Sequence, residues 1–519
     1  MRLQSVIWFF IMAGLITGCV SVTAIPAISR STPTLTASAT ITGTPFLTLT
    51  PSVTPTPSVT PFPPLSSAGP YLVLRQERVA NRLFIYDKDG RGRRTLTLPD
   101  GCYIQSRILQ HAISPDGDWL VCYTGSFSFQ NITIAENLPL NLNLVNIADG
   151  TSRKVTDVVT TGYLEKLVTV SDELQNLFPD RYEPQDGINW ALGAISMAFE
   201  WGIFAQSWSP DSRQLAFAGQ MDGNSSDVYT YELETGIIQR VEDSLQNVSS
   251  IQWSPTGEYL VFQNSQPGMI YIPTSFHAVR VGGKVVKEPK TLASWWFGGI
   301  IDWLSPTVLL TTDGTDTAGR TTLGTINIST GEEKKIWGGF YGEIAVDHEN
   351  QLIALTASEF TPEQDWGMHF ITFNGTKKKI ADGWYYNLFF RGGDQARFSA
   401  LRYSKPESQV GISLDDSVSE LNWQKGNISI SPDYFWVLIY GKKGAYLYDK
   451  NDELVKSLDV TNIDEVIWRP DSQGFFCSAW DSESYLVYVS IPSGEPVIVD
   501  RCLAEFCRFD LNENATWLP

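Results

Sequence analysis

The sequence predicts an all-β fold, a single β-propeller of four-stranded blades, on three observations. A proline-containing turn between two apolar strands recurs along the chain, and two-residue glycine turns recur between these units. The units also repeat at the spacing that is typical of propeller blades. Because each unit holds two hairpins, it supplies the four strands of one blade.

The proline turn is the first repeated element. Proline sets φ at the first central position, a neighbouring Asp or Ser side chain bonds the turn backbone, and Gly suits the closing position. Each copy therefore predicts the hairpin tip between the first and second strands of a blade. The copies centre on Pro115, Pro210, Pro255, Pro432 and Pro470.

The two-residue turn is the second repeated element. It is of the kind that joins right-twisted antiparallel strands, here the third and fourth strands of a blade. The copies are Asp89-Gly90, Asp149-Gly150, Thr235-Gly236, Gly282-Gly283, Thr330-Gly331, Asn374-Gly375 and Ser493-Gly494.

The spacing of the tips sets the blade count. Tips near residues 209, 254, 305, 348, 393, 431 and 469 are 45, 51, 43, 45, 38 and 38 residues apart. Counting every tip gives nine blades. Since the copy near Gly393 is faint and rings of nine are uncommon, we expect eight blades, within a range of seven to nine.

One interval is too long for a single blade. The tips at Ser114 and Ser209 are 95 residues apart, which predicts an insertion at about residues 158–204. Apolar residues at helical spacing indicate that it is partly helical. It is either a partner-binding or channel-capping lobe, or padding that buries its own apolar face.

The two ends of the domain are expected to close the ring. Residues 71–74 have the pattern of a second strand without a first, and residues 506–512 that of a first strand with its tip. Pairing between them would remove the exposed sheet edges that an open stack leaves.

The repeats resemble the WD-like repeat of TolB-type propellers. The resemblance lies in a Trp before the Ser-Pro-Asp tip, as at Trp208, and in the following strand Leu215-Ala216-Phe217. It covers about residues 71–517 and weakens at 346–350 and 390–394. The resemblance implies a binding or scaffolding role and brings no catalytic residues with it.

The N-terminus has the pattern of an export signal. Residues 1–19 contain Arg2, the apolar run 6–16 and Ile16-Thr17-Gly18-Cys19, which resembles a bacterial lipobox. Lipidation of Cys19 would anchor the chain on the outer face of the cell membrane, and the alternative is an ordinary signal peptide. Residues 20–70 are a Thr/Ser/Pro-rich linker with a reach of up to ~150 Å, and residues 71–519 form the propeller.

Composition limits the partners. The 519 residues include 57 acidic and 38 basic side chains, for a formal charge of −19. Nucleic-acid binding relies on Lys and Arg that replace phosphate counterions, so nucleic acid is not an expected partner. Aromatic residues make up 12% of the chain, enough for a large core.

Common catalytic motifs are missing from the sequence. It contains no Gly-x-Ser-x-Gly elbow, no His-Glu-x-x-His and no phosphate-binding loop. The histidines, His111, His277, His348 and His369, never stand at metal-ligand spacing. We therefore expect no cofactor and a non-catalytic module that binds a protein or polysaccharide at the cell surface. The alternative is a secreted glycosidase or lyase whose carboxylates come from different blades at the central channel.

The loops between second and third strands should share one face with the connections between blades, and we call this the loop face. Many of these loops are acidic, so the face is predicted to attract a cation or a basic protein surface. The alternative is solvated charge that keeps the domain soluble. The acidic residues are Asp222, Asp227, Asp313, Asp316, Glu359, Glu363, Asp365, Asp481 and Glu483. The loop from Arg75 to Arg82 and the pair Lys442-Lys443 are basic exceptions.

Tryptophans fall into two groups. Trp208, Trp253, Trp303 and Trp468 hold the same place in each repeat and should pack between blades. Trp295, Trp296 and Trp384 precede first strands, where either burial or exposure to a glycan ligand is open.

Cysteines suggest two disulfides in an exported domain. With Cys19 assigned to lipid, the plausible pairs are Cys102 with Cys122 and Cys502 with Cys507. Cys477 would remain as a buried thiol. Sequence alone does not establish these connections.

Overall fold

The structure is a computed structural model of the 519-residue chain. Chain contacts separate residues 1–60 from residues 61–519, and every described residue belongs to the second unit. The predicted signal, most of the predicted linker and all but the first two residues of the predicted insertion therefore lie outside the described residues. The structure describes residues 64–65, 69–75, 82–102, 104, 109–124, 140–159, 205–219, 221, 227–242, 247–265, 273–281, 299–315, 321–339, 341–357, 365–392, 397–403, 408–481, 483–492, 495–502 and 509–519.

Nine antiparallel sheets follow one another along the chain and form the blades of a ring. The first three blades contain β1 (Tyr71–Arg75), β2 (Arg82–Asp87), β3 (Arg93–Thr97); β4 (Trp119–Thr124), β5 (Leu140–Asn146), β6 (Ser152–Val159); and β7 (Gln206–Trp208), β8 (Gln214–Gly219), β9 (Asp227–Glu232), β10 (Ile238–Glu242). The middle three contain β11 (Asn247–Trp253), β12 (Tyr259–Ser265), β13 (Pro273–Arg280); β14 (Gly299–Ser305), β15 (Val308–Thr315), β16 (Thr321–Asn327), β17 (Glu332–Gly338); and β18 (Ile344–Asp347), β19 (Leu352–Ala357), β20 (Gly367–Thr372), β21 (Lys377–Asp382). The last three contain β22 (Tyr385–Phe390), β23 (Phe398–Arg402), β24 (Ser408–Ile412), β25 (Val418–Leu421); β26 (Asn427–Ile430), β27 (Val437–Gly441), β28 (Gly444–Tyr448), β29 (Leu454–Leu458); and β30 (Ile463–Trp468), β31 (Gly474–Trp480), β32 (Ser484–Ser490), β33 (Val497–Cys502). The final strand, β34 (Ala515–Leu518), joins the first blade, and two short helices span Leu109–Ala112 and Leu511–Asn514.

The predicted propeller is confirmed, with nine blades at the upper end of the predicted range and one more than the preferred eight. The faint copy near Gly393 is a true tip, since Arg391 N–H and Gly392 N–H both donate to Arg397 O. Gly392-Gly393 stands there in place of the Pro-Asp pair, which is why the pattern is weak.

Two blades show three strands in the described part of the chain. In the second blade, Ile113 makes a single bridge to Leu120 in place of a first strand, because the preceding residues form the helix Leu109–Ala112. In the fourth blade, residues 282–298, where a fourth strand would stand, are outside the described residues.

Strands from both ends of the domain close the ring, as predicted. β34 pairs with β1, with Leu518 opposite Tyr71 and Thr516 opposite Val73. The expected position of the closing strand, residues 506–512, is wrong, because a helix begins at Leu511 and the strand follows it. The Asp510 carboxylate accepts a hydrogen bond from Asn514 Nδ2 at 2.9 Å, a side-chain contact that holds this short turn.

Tryptophans join neighbouring blades, as predicted for Trp208, Trp253 and Trp468, each 7% exposed. Trp208 Nε1 donates to Ala112 O at 3.3 Å and Trp253 Nε1 donates to Ser207 O at 3.0 Å. Trp303 is partly buried against the core of the fourth and fifth blades. Each bond crosses from one blade to the one before it.

The tip face is the end of the ring opposite the loop face. It carries the turns that contain Gly117, Ser212, Gly257 and Ser472, all with positive φ. The described ends of the chain also lie here: a Cβ atom at Gly69 would be 2.5 Å from Pro519 O, and one at Gly117 would be 2.8 Å from Pro519 Cδ. The chain therefore enters and leaves the propeller on its tip face.

Candidate ligand-binding site

Trp384 and Tyr403 form an aromatic pair on the loop face of the seventh blade. Their ring centroids are 4.7 Å apart, and Tyr403 N–H donates to Trp384 O at 2.8 Å. Trp384 directly precedes Tyr385, and Tyr403 directly follows its register partner Arg402. The two are therefore cross-strand neighbours, a position in which aromatic side chains contact one another. Trp384 is half-buried, whereas Tyr403 is 52% exposed.

A short connection supports this pair. Only Gly383 and Trp384 join Asp382, the last residue of β21, to Tyr385, the first of β22. Gly383 has φ +113°, a conformation that favours glycine. Tyr385 Oη donates to Asp382 O at 3.3 Å, and burial raises the pKa of Tyr385, which keeps this hydroxyl protonated.

Asp382 carries the exposed carboxylate beside the pair. Lys379 Nζ lies 2.6 Å from its Oδ1, and this hydrogen bond lowers the pKa of Asp382. The carboxylate is therefore ionised at neutral pH and partly neutralised by its partner.

Four exposed cations stand on the loop face of the seventh and eighth blades. Arg402 ends β23, Lys442 and Lys443 form the turn between β27 and β28, and Lys425 precedes β26. A Cβ atom at Gly426 would lie 2.5 Å from Tyr440 O, so this segment runs close to the end of β27, next to the Lys442-Lys443 turn. Within the described part of the chain, none of the four side chains makes an ion pair.

Trp480 is a second exposed aromatic residue on the loop face, at the end of β31 in the ninth blade. It is 48% exposed. The tight loop after it is closed by Asp481 N–H, which donates to Glu483 O at 3.0 Å. Arg501 lies 3.6 Å from the Glu483 carboxylate and 5.1 Å above the Tyr485 ring.

Only some residues of the predicted acidic face lie within the described part of the chain. Asp365 is half-buried, and its carbonyl oxygen is 2.8 Å from His369 Nε2, while Asp481 is exposed. Glu483 is engaged by Arg501. The side chains of Asp222, Asp313, Asp316, Glu359 and Glu363 lie outside the described residues.

The prediction is wrong for Asp227, which is not part of an open acidic face. It is 2% exposed, at the start of β9, and its carboxylate lies 3.6 Å from Arg240 on the neighbouring strand. A carboxylate in the core must be paired to offset its desolvation, so Asp227 supports the third blade and is not open to a ligand.

Part of the predicted cysteine pattern lies within the described residues. Cys102 and Cys122 form a disulfide, and Cys477 is a buried free thiol. Cys502 is disulfide-bonded, and Cys507 lies outside the described residues, as does the lipidation candidate Cys19.

Three carboxylates on first strands or beside them bind the next blade. Asp302 Oδ2 is 2.9 Å from His348 Nε2, Glu343 accepts the Leu388 N–H, and Glu465 accepts the Leu511 N–H. Each therefore contributes to holding the ring together. Among the described residues, no group of three acidic, His or Cys side chains is placed to hold a metal ion.

No protein-family profile and no curated protein sequence matches the chain. A eukaryotic initiation factor has a similar structure, with a TM-score of 0.52 and 12% identity, covering 88% of this chain and 99% of that one. An oligogalacturonate lyase in complex with manganese (TM-score 0.32, 15% identity, 56% and 90% covered) and TolB from Acinetobacter baumannii (0.28, 16%, 59% and 61%) also match. The fold is a β-propeller. At 12% identity the likeness to the initiation factor shows the fold alone.

In the described residues, no helix is long and apolar enough to cross a membrane.

Proposed function

We propose that this chain is an exported, membrane-anchored propeller that binds a protein or glycan ligand on its loop face without transforming it. The observation that carries the proposal is the aromatic pair formed by half-buried Trp384 and exposed Tyr403. An aromatic pair held in a fixed geometry at the surface offers a large contact area at low cost in conformational entropy.

The position of the chain ends supports a tethered arrangement. Described residues enter the propeller at the tip face, where Gly69 adjoins Pro519. In the proposed arrangement, Cys19 carries the lipid and residues 20–70 are the tether. A domain held through its tip face presents the loop face to its surroundings.

The competing function is a secreted glycosidase or lyase that uses carboxylates at the central channel. Such an enzyme needs two carboxyl groups free to act on the substrate. Glu343 and Glu465 instead accept backbone hydrogen bonds from the next blade, and Asp302 faces His348. These contacts support a structural role for the three carboxylates. If the protein shortened the chains of a bound glycan, that result would contradict a binding role without catalysis.

Site-specific photocrosslinking on intact cells tests the proposal. A photoreactive residue replaces Tyr403 in the full chain, and a matched one replaces Arg91, whose side chain is 86% exposed on the tip face. We expect a defined adduct from position 403 that is lost when Trp384→Ala is added. Equal adducts from both positions, or none from position 403, would overturn the proposal.

A further inference from the structure

The charges around the aromatic pair are opposite in sign to the charge of the whole protein. The chain carries a formal charge of −19, yet the exposed charged residues beside Trp384 and Tyr403 are mainly cations. These cations are Arg402, Lys425, Lys442 and Lys443. Of the exposed acids in this sector, Asp382 is ion-paired with Lys379. The others are Glu420, near the end of β25, and Asp459, directly after β29.

Cations and aromatic rings lie within reach of one ligand. The seventh and eighth blades are neighbours, joined by the 2.7 Å ion pair between Arg391 and Asp452. Packed sheets lie about 10 Å apart, so a ligand of that length could contact Tyr403 and the Lys442-Lys443 turn together. The loop face of the ninth blade differs, since Trp480 is followed by Asp481 and Glu483.

We propose that the loop face of the seventh and eighth blades binds an anionic polysaccharide. Tyr403 and Trp384 stack against the apolar C–H face of a sugar ring, and Lys442, Lys443 and Lys425 contact its carboxylate or sulfate groups. Lysine ammonium groups bind such anions as mobile point charges. This inference rests on the proposed binding role of the same face and names its ligand class.

A polysaccharide fits better than a nucleic acid. Nucleic acid carries a phosphate at every nucleotide and needs a continuous basic track, with bases stacked on successive aromatic side chains. Here the cations that lie beside the aromatic pair belong to two blades of an acidic protein, and Trp480 stands in acidic surroundings. A protein ligand remains an outcome of the test.

Binding of four probes to the full chain tests the inference: polygalacturonate, heparin, a neutral dextran and a thymidine oligonucleotide. We expect polygalacturonate, heparin or both to bind, with the first two probes separating carboxylate from sulfate recognition. Affinity should fall at least tenfold in Tyr403→Ala and in the double variant Lys442→Ala/Lys443→Ala, and should weaken with salt. Trp480→Ala is the matched control and should bind as the unaltered chain does.

The outcomes separate this inference from the proposed function. Equal binding of dextran, or unchanged affinity in Lys442→Ala/Lys443→Ala, overturns the anionic ligand while a glycan-binding role stands. A protein adduct at position 403 without polysaccharide binding overturns the ligand class alone. Binding of the oligonucleotide with the same dependence on Lys442 and Lys443 also overturns it. Circular dichroism of each variant establishes that the blades are folded, so a loss of binding is attributed to the altered side chains.

Discussion

Arg397 and Asp347 form a buried ion pair that joins the seventh blade to the sixth. Arg397 Nε lies 2.7 Å from Asp347 Oδ2, with the two side chains 8% and 0% exposed. Burial alone would raise the pKa of Asp347, but hydrogen bonds from Arg397 and Asn350 lower it overall. The pair therefore remains charged at neutral pH.

Asp347→Ala should lower the free energy of unfolding by about 3–5 kcal/mol, because it removes the buried carboxylate that pairs with Arg397 and leaves only the exposed Glu349 as a partner of that buried charge. Urea unfolding at pH 7 measures the loss. Glu349→Ala is the control: its side chain also pairs with Arg397 but is 78% exposed, so the loss should be about 1 kcal/mol or less. Equal losses in the two variants would contradict the importance of the buried partner.

This pair illustrates what the sequence could and could not predict. The proline tips are local, because turn chemistry depends on adjacent residues, and they located the blades correctly. The tip that contains Arg391 and Gly392 is faint in the sequence because it lacks the Pro-Asp pair, and its ion pairs with other blades have no local signature. Asp347 and Arg397 are 50 residues apart, and their pairing depends on how the blades pack.

The candidate site was only partly predictable. Trp384 stood out before a first strand, but its exposure could not be decided from sequence alone. Tyr403 was missed, although the short Gly383-Trp384 connection and the strand ending at Arg402 were the signals that could have placed it. Lys442 and Lys443 are recognisable in the sequence as exceptions to the acidic loops. Their position near the aromatic pair depends on the packing of the seventh blade against the eighth, which has no local signature in the sequence.

Cys477 should resist alkylation in the folded protein. It is fully buried, and burial raises its pKa to about 12, so the reactive thiolate is scarce at neutral pH. Peptide mass mapping after iodoacetamide treatment should show modification of Cys477 only when the chain is unfolded. Native labelling at a rate similar to the unfolded chain would contradict its burial, and Cys477→Ser identifies the peptide.

The Cys102–Cys122 disulfide should stabilise the junction of the first and second blades. It closes a loop with a sequence separation of 20. Cross-links of this length contribute about 3 kcal/mol, chiefly through the unfolded state. The double variant Cys102→Ser/Cys122→Ser should lose about this much in urea unfolding under oxidising conditions. In reducing buffer the free energy of unfolding of the unaltered chain should fall toward that of the variant. If the two values still differ there, the loss in the variant comes from altered packing of the side chains and not from the missing disulfide.

Stability should decrease as the pH falls below 6.5, in part through His369. Its side chain is 6% exposed and contacts Trp337, with ring centroids 4.8 Å apart. Burial lowers the pKa of His369 from the ordinary 6.5, so the unfolded chain takes up this proton at a higher pH than the folded chain. The contribution is therefore present above pH 6.5 and is lost progressively at lower pH.

His369→Phe tests this pH dependence. The variant loses the hydrogen bond to Asp365 O and should be less stable at pH 8. Its stability should nevertheless change less between pH 7 and pH 5 than that of the unaltered chain. Urea unfolding at several pH values measures the slope, and parallel curves would rule out His369 as the titrating group.

Glu465 holds the closing segment of the ring. Its Oε2 accepts the Leu511 N–H and lies 3.3 Å from the Asn512 nitrogen, just before β34 pairs with β1. Glu465→Ala leaves these two donors without their acceptor and should cost about 1–3 kcal/mol in local stability. Opening of this segment should then expose the backbone of Ala515–Leu518 to exchange.

Hydrogen exchange followed by mass spectrometry measures this opening. Peptides that cover β34 and β1 should exchange faster in Glu465→Ala, while peptides from the fifth blade stay unchanged. Glu465→Gln keeps an acceptor oxygen and should show a smaller effect. Asp464→Asn, at the exposed neighbouring position, is the control and should exchange normally. Uniformly faster exchange in all blades would show that Glu465 supports the whole fold and has no special role in ring closure.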